Sequence, residues 1–237
     1  MSTPRFRKYD RYKASSYRAY NDTLLVRYDT MVWHKICQTA LNDLTVVEEL
    51  GSSLASLRIL DVGCATGRLL AYLAAAGASD LAGTDLAPRI LEVARRKLTA
   101  LGARAELMSA DVEDRLPWPD DSFDVVTLIG VLHHLTRPWD ALSEIHRVLR
   151  PGARLLLIDP SWVFPIRQVF NLALRLAPHW GDHHFYTLAE TRALLEDARW
   201  SGLRSRRVSW TSYLVSAIKA VPNRTATLEP ATIPQPC

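Results

Sequence analysis

The stretch Leu57–Leu73, LRILDVGCATGRLLAYL, decides the fold. Ile59-Leu60-Asp61-Val62 is an apolar run, and Gly63-Cys64-Ala65-Thr66-Gly67 breaks it. Leu69, Leu70 and Leu73 then recur at helical spacing. The pattern predicts a buried strand, a tight glycine turn and a helix. Such a turn lets a ligand approach the backbone, because a Cβ at Gly63 or Gly67 would obstruct it. The helix that follows offers free backbone N–H groups at its N-terminus.

Downstream, the same alternation repeats. Asp80–Gly83 is a second short strand, ending in Thr84-Asp85, and Pro88 opens a helix that Gly102 closes. Ala105–Met108 is a third strand. The acidic, proline-containing segment 116–124 is a surface loop. Val125–Ile129 is a β-branched, apolar and therefore buried strand. Trp139–Leu149 is a helix with Pro151-Gly152 as its stop, and Ala153–Ile158 is a fifth strand ending at Asp159. Five strands alternating with helices predict an α/β protein with a doubly wound parallel sheet. Thr187 and Glu190 form a capping box for a helix over 187–198. Leu203–Trp210 and Tyr213–Val221 are two strands with so short a link that only a hairpin fits, so the sheet ends antiparallel.

Upstream, residues 1–50 are an N-terminal arm and a capping helix. Leu24, Leu25, Tyr28, Val32, Ile36, Leu41 and Leu44 lie near helical spacing. Residues 51–221 form the main domain, with a lid or substrate insertion at 160–186, and the proline-containing residues 222–237 are expected to be a disordered tail.

The chain has 237 residues, 48% of them hydrophobic and 23% charged. That is an ordinary balance for one sizeable domain. No apolar run approaches the ~20 residues of a membrane span, and no integral membrane association is expected. The N-terminus lacks the apolar core of a secretory signal. Cys37, Cys64 and Cys237 are widely spaced and odd in number, which fits a reducing, cytoplasmic setting. The net charge is +4, but residues 1–18 hold six basic side chains and one acid, so the remainder carries −1. Basicity confined to an arm argues against a nucleic-acid surface spread over the fold. The arm itself, with tyrosines between its basic residues, either contacts nucleic acid or a membrane surface, or is a terminal segment that is flexible or folds over the active site.

Ligands of open α/β sheets sit at the carboxyl ends of the strands. Asp61, Asp85, Asp111 and Asp159 stand at four of the five predicted ends, and such a rim repels a phosphate-rich ligand. The P-loop lysine is missing. The dinucleotide fingerprint also fails, with Ala65 and Arg68 in place of its second and third glycines. The rim suits a ligand with hydroxyls, an exocyclic amine and positive charge. S-adenosylmethionine has all three.

Five stretches, in order, resemble the motifs of class I S-adenosylmethionine-dependent methyltransferases. They are ILDVGCATG at 59–67, GTDLAP at 83–88, SADVEDRLPWPDDSFDVV at 109–126, VLHHL at 131–135 and VLRPGARLLLID at 148–159. The nearest branch is the one that methylates quinones and small molecules, and Tyr28-Asp29 is similar to a pair preceding the core there. The family usually has glycine where this chain has Ala65. The resemblance implies a Rossmann-like seven-stranded sheet with a terminal antiparallel hairpin and helices on both faces. It also implies roles. Asp85 accepts hydrogen bonds from the ribose hydroxyls, and Asp111 from the adenine amino group, with the Val112 N–H on a ring nitrogen. Leu86 lies against adenine. Gly63, Cys64, Ala65 and Gly67 form the turn beside the amino-acid portion, and Asp61 orients it. Ile129 and Gly130 lie near the methionine tail, and Tyr28 closes the site.

Methyl transfer from a sulfonium is an in-line displacement in which positioning supplies much of the catalysis. Where an acceptor must lose a proton, the candidate bases are His133, His134, His183, His184 and Tyr186. His179, His183 and His184 do not make a convincing metal set, because Gly181 argues against the helix they would need, and no metal is expected. Aromatic residues in the insertion point to an apolar or aromatic small-molecule acceptor. The competing expectations are an enzyme acting on RNA or protein through the basic arm, and a non-catalytic binder of the same cofactor.

Overall fold

The computed structural model describes residues 11–23, 28–30, 39–162, 165–176, 182–197 and 200–221. Strand β1 (Arg58–Val62) lies inside a seven-stranded sheet, between β2 (Asp80–Asp85) and β4 (Phe123–Ile129). The other strands are β3 (Glu106–Ser109), β5 (Leu149–Pro160), β6 (Trp200–Arg207) and β7 (Ser212–Lys219). The spatial order is β3-β2-β1-β4-β5-β7-β6. β1 to β5 pair in parallel, whereas β7 runs antiparallel to both β5 and β6. The terminal hairpin therefore exists as expected, and its second strand is the one that docks on the parallel sheet. The sequence explains this choice: β7 is buried from Ser212 to Ala217, whereas β6 carries exposed Arg204, Arg206 and Arg207 along a sheet edge. Charge on an edge strand discourages pairing with another chain.

Alternation along the central strands builds two cores, one on each face. On one side Ile59, Val125, Leu156, Ile158 and Leu214 meet the helices α2 (Thr39–Leu50), α3 (Arg68–Ala75) and α4 (Pro88–Ala100). On the other, Leu60, Val126, Leu128, Leu155 and Leu157 meet α5 (Pro138–Val148) and α7 (Leu188–Asp197). The α7 capping box forms as the sequence predicts, the Glu190 N–H on Thr187 Oγ1 at 3.1 Å and the Thr187 N–H on the Glu190 carboxylate at 2.6 Å.

Three local expectations are corrected. Pro151-Gly152 does not stop a helix, because α5 ends at Val148 and β5 runs straight through the pair. The apolar face assigned to α2 is wrong: Leu41 and Leu44 are exposed, and Asn42, Asp43, Thr45, Val46 and Leu50 are buried. Tertiary partners decide this. Asp43 meets Arg68 Nε at 3.1 Å and Asn42 accepts from Ser212 at 2.9 Å, so both polar residues have partners inside. Tyr28-Asp29 lies in a short three-ten turn, Tyr28–Thr30, rather than on a long helix. The rest of the predicted helix pattern (Leu24, Leu25, Val32, Ile36), Cys37, His179 and the tail from residue 222 lie outside the described residues.

The short helix α1 (Arg11–Arg18) continues into a π-turn over Ala19–Thr23 that packs on α4. There Asn21 accepts the Arg89 N–H at 3.2 Å. α6 (Ile166–Leu176) lies in the 160–186 insertion and is turned inside out. Asn171 is buried and Arg167 is tied down, while Ile166, Val169 and Leu172 face outward. Asn171 exchanges two hydrogen bonds with the Phe185 backbone, and Arg167 bridges to Glu190 at 3.1 Å.

Gly83 on β2 has no room for a side chain: a Cβ there would stand 2.8 Å from Leu70 Cδ1 and 2.9 Å from Cys64 Sγ. Gly83→Ala is expected to destabilise the protein by about 1–3 kcal/mol through overpacking, measured by urea denaturation. An unchanged midpoint would show that α3 is free to retreat.

Candidate active site

In a sheet ordered β3-β2-β1-β4-β5 the chain reverses direction at β1 and β4, and the crevice opens at their carboxyl ends. The β1–α3 turn there is clamped to the next strand. The N–H groups of Gly63 and Cys64 both donate to Thr84 O, at 2.8 and 2.9 Å, and Gly67 N–H closes on Cys64 O at 2.8 Å. Gly63 and Gly67 both have φ of 72°. At Gly63 a Cβ would come 2.4 Å from Val131 Cγ2, so the position demands glycine twice over. Ala65 adopts φ of 46° despite its methyl group. Its N–H donates to Asp85 Oδ2 at 3.0 Å, while Asp85 Oδ1 takes the Ala87 N–H at 2.9 Å.

A cavity with about 770 Å³ of empty space, part of it open to solvent, lies against this turn. Gly63, Ala65, Asp85, Leu86, Asp111, Val112, Ile129, Gly130, Tyr28 and His134 all line it. The three other residues expected at the cofactor stand behind the wall. Asp61 is buried and accepts from Thr127 Oγ1 at 2.7 Å. Cys64 is packed in the core, where burial pushes its thiol up. Gly67 faces Ala94 of α4. Of the five candidate bases only His134 reaches the cavity. His133 is buried beside it, with its Nδ1 3.0 Å from Asp159. His183 and His184 donate their backbone N–H groups to His133 O, at 2.7 and 3.0 Å. The His184 side chain lies in a separate groove with Arg167 and Glu190, and its ring packs edge-on against Tyr186.

Sequence reasoning missed Lys13, Ser16 and Tyr20, which complete the cavity. Lys13 is buried and its ammonium sits 2.5 Å from both Asp111 and Glu113. Tyr20 packs edge-on against Tyr28 and His134, with ring centroids 5.7 Å apart in each pair. The described part of the arm, from residue 11 on, therefore folds over the cavity. The Tyr spacing was visible in the sequence, but no local pattern marks Lys13 as a basic residue taken inside.

Carboxylates dominate the electrostatics. Burial pushes Asp43 and Asp61 up to about 7 and Asp85 up to about 6. A ligand with positive charge and hydroxyl or amino donors is what this wall can stabilise, and S-adenosylmethionine fits it. Burial alone would lower His133, but Asp159 and Asp182 outweigh it and hold the imidazole above its ordinary range.

Residues 60–157 match the family described as methyltransferase domain. The chain is 43% identical over 107 residues to a demethylmenaquinone methyltransferase of Clavibacter sepedonicus, covering 45% of this chain and 42% of that protein. It is 32% identical over 146 residues to a ubiquinone/menaquinone biosynthesis C-methyltransferase of Burkholderia mallei, covering 60% of each. The chain thus spans about half the length of the curated relatives it matches. Among solved structures, magnesium protoporphyrin IX methyltransferase from Synechocystis, with bound SAH, superposes with a TM-score of 0.69 at 21% identity. That match covers 88% of this chain and 100% of the other. A SAM-dependent methyltransferase from Aquifex aeolicus gives a TM-score of 0.59 at 25% identity, covering 75% and 89%.

The raised carboxylates set a pH dependence. A folded-state value above the unfolded value of about 3.9 means that the folded protein keeps a proton the unfolded chain releases. Stability from these groups is full below about pH 4 and is lost as pH rises towards about 7. Asp61→Asn keeps an acceptor for Thr127 and removes one such group. The variant is expected to gain on the parent steadily between about pH 4 and 7, measured by urea denaturation across that range; a pH-independent difference would show that Asp61 is ionised at no cost.

Proposed function

We propose that the chain is a class I S-adenosylmethionine-dependent methyltransferase that methylates a small apolar or aromatic metabolite of the quinone-precursor kind, a reading supported by the methyltransferase-domain match and by its quinone-methylating relatives. One observation carries the proposal: a single cavity gathers nine of the twelve residues expected at the cofactor, together with His134, on both sides of the sheet's reversal point. S-adenosylmethionine, when bound, supplies a methyl group on a sulfonium, an electrophile already activated for displacement.

The remaining work belongs to the protein. Asp85 is held by two backbone N–H groups, and each carboxylate oxygen keeps acceptor capacity for a ribose hydroxyl. Leu86 and Val112 offer apolar surface to a purine, and Asp111 offers an acceptor to its amino group. Asp43 and Asp61, buried behind the turn, favour positive charge in front of it. Gly63 and Gly130 leave the backbone open beside the amino-acid portion. Tyr20 and Tyr28 shield the cavity, which excludes water and holds an acceptor in line. Where the acceptor is a phenol or hydroxyl, His134 is the candidate base placed to meet it.

Lys13 supports a small acceptor over RNA. Its charge is spent on Asp111 and Glu113, so this part of the basic arm faces inward. Trp162, Phe170 and Phe185 form one aromatic cluster with ring centroids 5.6–6.3 Å apart, and Phe185 stacks on His133 at 5.1 Å. This joins the insertion to the acceptor side of the cavity and makes it a lid in the proposed mechanism. Among the described residues no helix is long and apolar enough to cross a membrane.

Methyl-labelled S-adenosylmethionine incubated with protein and a cell extract, fractionated into small molecules, RNA and protein, tests the proposal. Label is expected in an organic-soluble small molecule; label confined to macromolecules would overturn it. Asp85→Ala is expected to weaken cofactor binding by about tenfold or more, from the loss of charge-assisted hydrogen bonds, measured by calorimetry. Parent-like affinity would remove Asp85 from the ribose role.

A further inference from the structure

Beside the cavity, three side chains from two distant parts of the chain converge. His133 and His134 follow β4, and Asp182 comes from the insertion. His133 Nε2, His134 Nδ1 and a carboxylate oxygen of Asp182 all lie within 4.8 Å of one another. Asp182 Oδ1 is 3.1 Å from His134 Nδ1 and 3.7 Å from His133 Nε2. The two rings lie 4.1 Å apart, and His133 is buried.

The far nitrogens of both rings already have oxygen partners. His133 Nδ1 is 3.0 Å from the buried Asp159 carboxylate, and His134 Nε2 is 3.2 Å from the Tyr20 hydroxyl. A ring that donates its far N–H to an oxygen presents a lone pair at its near nitrogen. Both near nitrogens face Asp182. An oxygen partner behind each imidazole is the arrangement that orients histidine ligands around metals.

The spacing also matches. Ligands held at about 2.0–2.1 Å around a tetrahedral ion stand about 3.3–3.4 Å apart. The two distances to Asp182, 3.1 and 3.7 Å, bracket that value, and the ligand atoms of all three residues lie within 4.8 Å of one another. We propose that His133, His134 and Asp182 form a site for a borderline divalent cation of the Zn²⁺, Co²⁺ or Ni²⁺ class. Two imidazoles and one carboxylate suit these ions better than Mg²⁺ or Ca²⁺, which prefer oxygen. Three protein ligands leave a fourth position for water, and His134 lines the cavity, so that position is on the cavity side. The site differs from the His179, His183 and His184 grouping that the sequence brings to mind, and it goes beyond methyl transfer, since it requires neither cofactor nor acceptor.

Tag-free protein at neutral pH, titrated with ZnCl2 by calorimetry and with CoCl2 by visible absorption, tests the site. One cation per chain with micromolar or tighter affinity is expected, and with Co²⁺ the intense absorption of a tetrahedral centre. His134→Ala and Asp182→Asn are each expected to weaken binding at least tenfold, whereas His184→Ala leaves it unchanged. Folding of each variant is checked by circular dichroism. Should a variant unfold, the Co²⁺ spectrum of the parent still decides, because binding at the free thiol of Cys64 would show a sulfur-to-metal band that a nitrogen–oxygen site lacks. Absence of saturable binding below millimolar metal, a sulfur-to-metal band, or parent-like binding by folded His134→Ala and Asp182→Asn would each overturn the proposal.

Discussion

Two hydrogen bonds to one carbonyl hold the working part of this protein together. The N–H groups of Gly63 and Cys64 both end on Thr84 O, so the turn after β1 cannot move independently of the end of β2. The same contact brings Asp85, one residue further along, to the Ala65 N–H. A turn is thereby fixed relative to the carboxylate that faces the cavity across from it. Glycine at 63 is the condition for this clamp, since its backbone is left-handed and Val131 leaves no room above it. Ala65 accepts a left-handed conformation as well, an uncommon one for a residue with a Cβ.

Around the clamp the protein concentrates carboxyl groups in a dry setting. Asp43, Asp61 and Asp85 are desolvated, and Arg68 pairs with Asp43. Carboxylates buried in this way are a cost to the fold unless a cation or strong donors arrive. A sulfonium and an α-ammonium meet that need, which links the stability of the wall to the chemistry of its ligand. Asp159 serves a different end: its partner is His133, and through it the acceptor side of the cavity is tied to the end of β5.

Segments remote in sequence close the site. α1 and the π-turn after it cross the front and place Lys13 on Asp111 and Glu113. From the other side, the insertion is fastened by Asn171 on the Phe185 backbone and by the Phe185 ring on His133. The strand ends supply one wall of the cavity, α1 and the π-turn supply the front, and the insertion packs behind His133 and His134. This division explains why the cofactor side is so much better defined by motif than the acceptor side.

Much of the fold was legible in the sequence because strand and helix periods are local. β1 to β5 and α3 to α5 lie where the apolar patterns put them, and the glycine turn announced the crevice. The errors came where a tertiary partner outweighed the local pattern. Asn42 and Asp43 are inside α2's buried face because Ser212 and Arg68 receive them, and no spacing of apolar residues reveals that. The Pro151-Gly152 pair sits within β5 at an irregularity, where pairing with β4 skips from Leu149 to Arg154. By itself the sequence determined the sheet, the turn and the acidic strand ends, since these depend on side-chain period and on glycine's backbone freedom. Only the tertiary structure decided which basic residue of the arm is buried, which of the histidines meets the cavity, and that Asp182 joins His133 and His134. Those outcomes depend on contacts between segments far apart in the chain, which local chemistry does not encode.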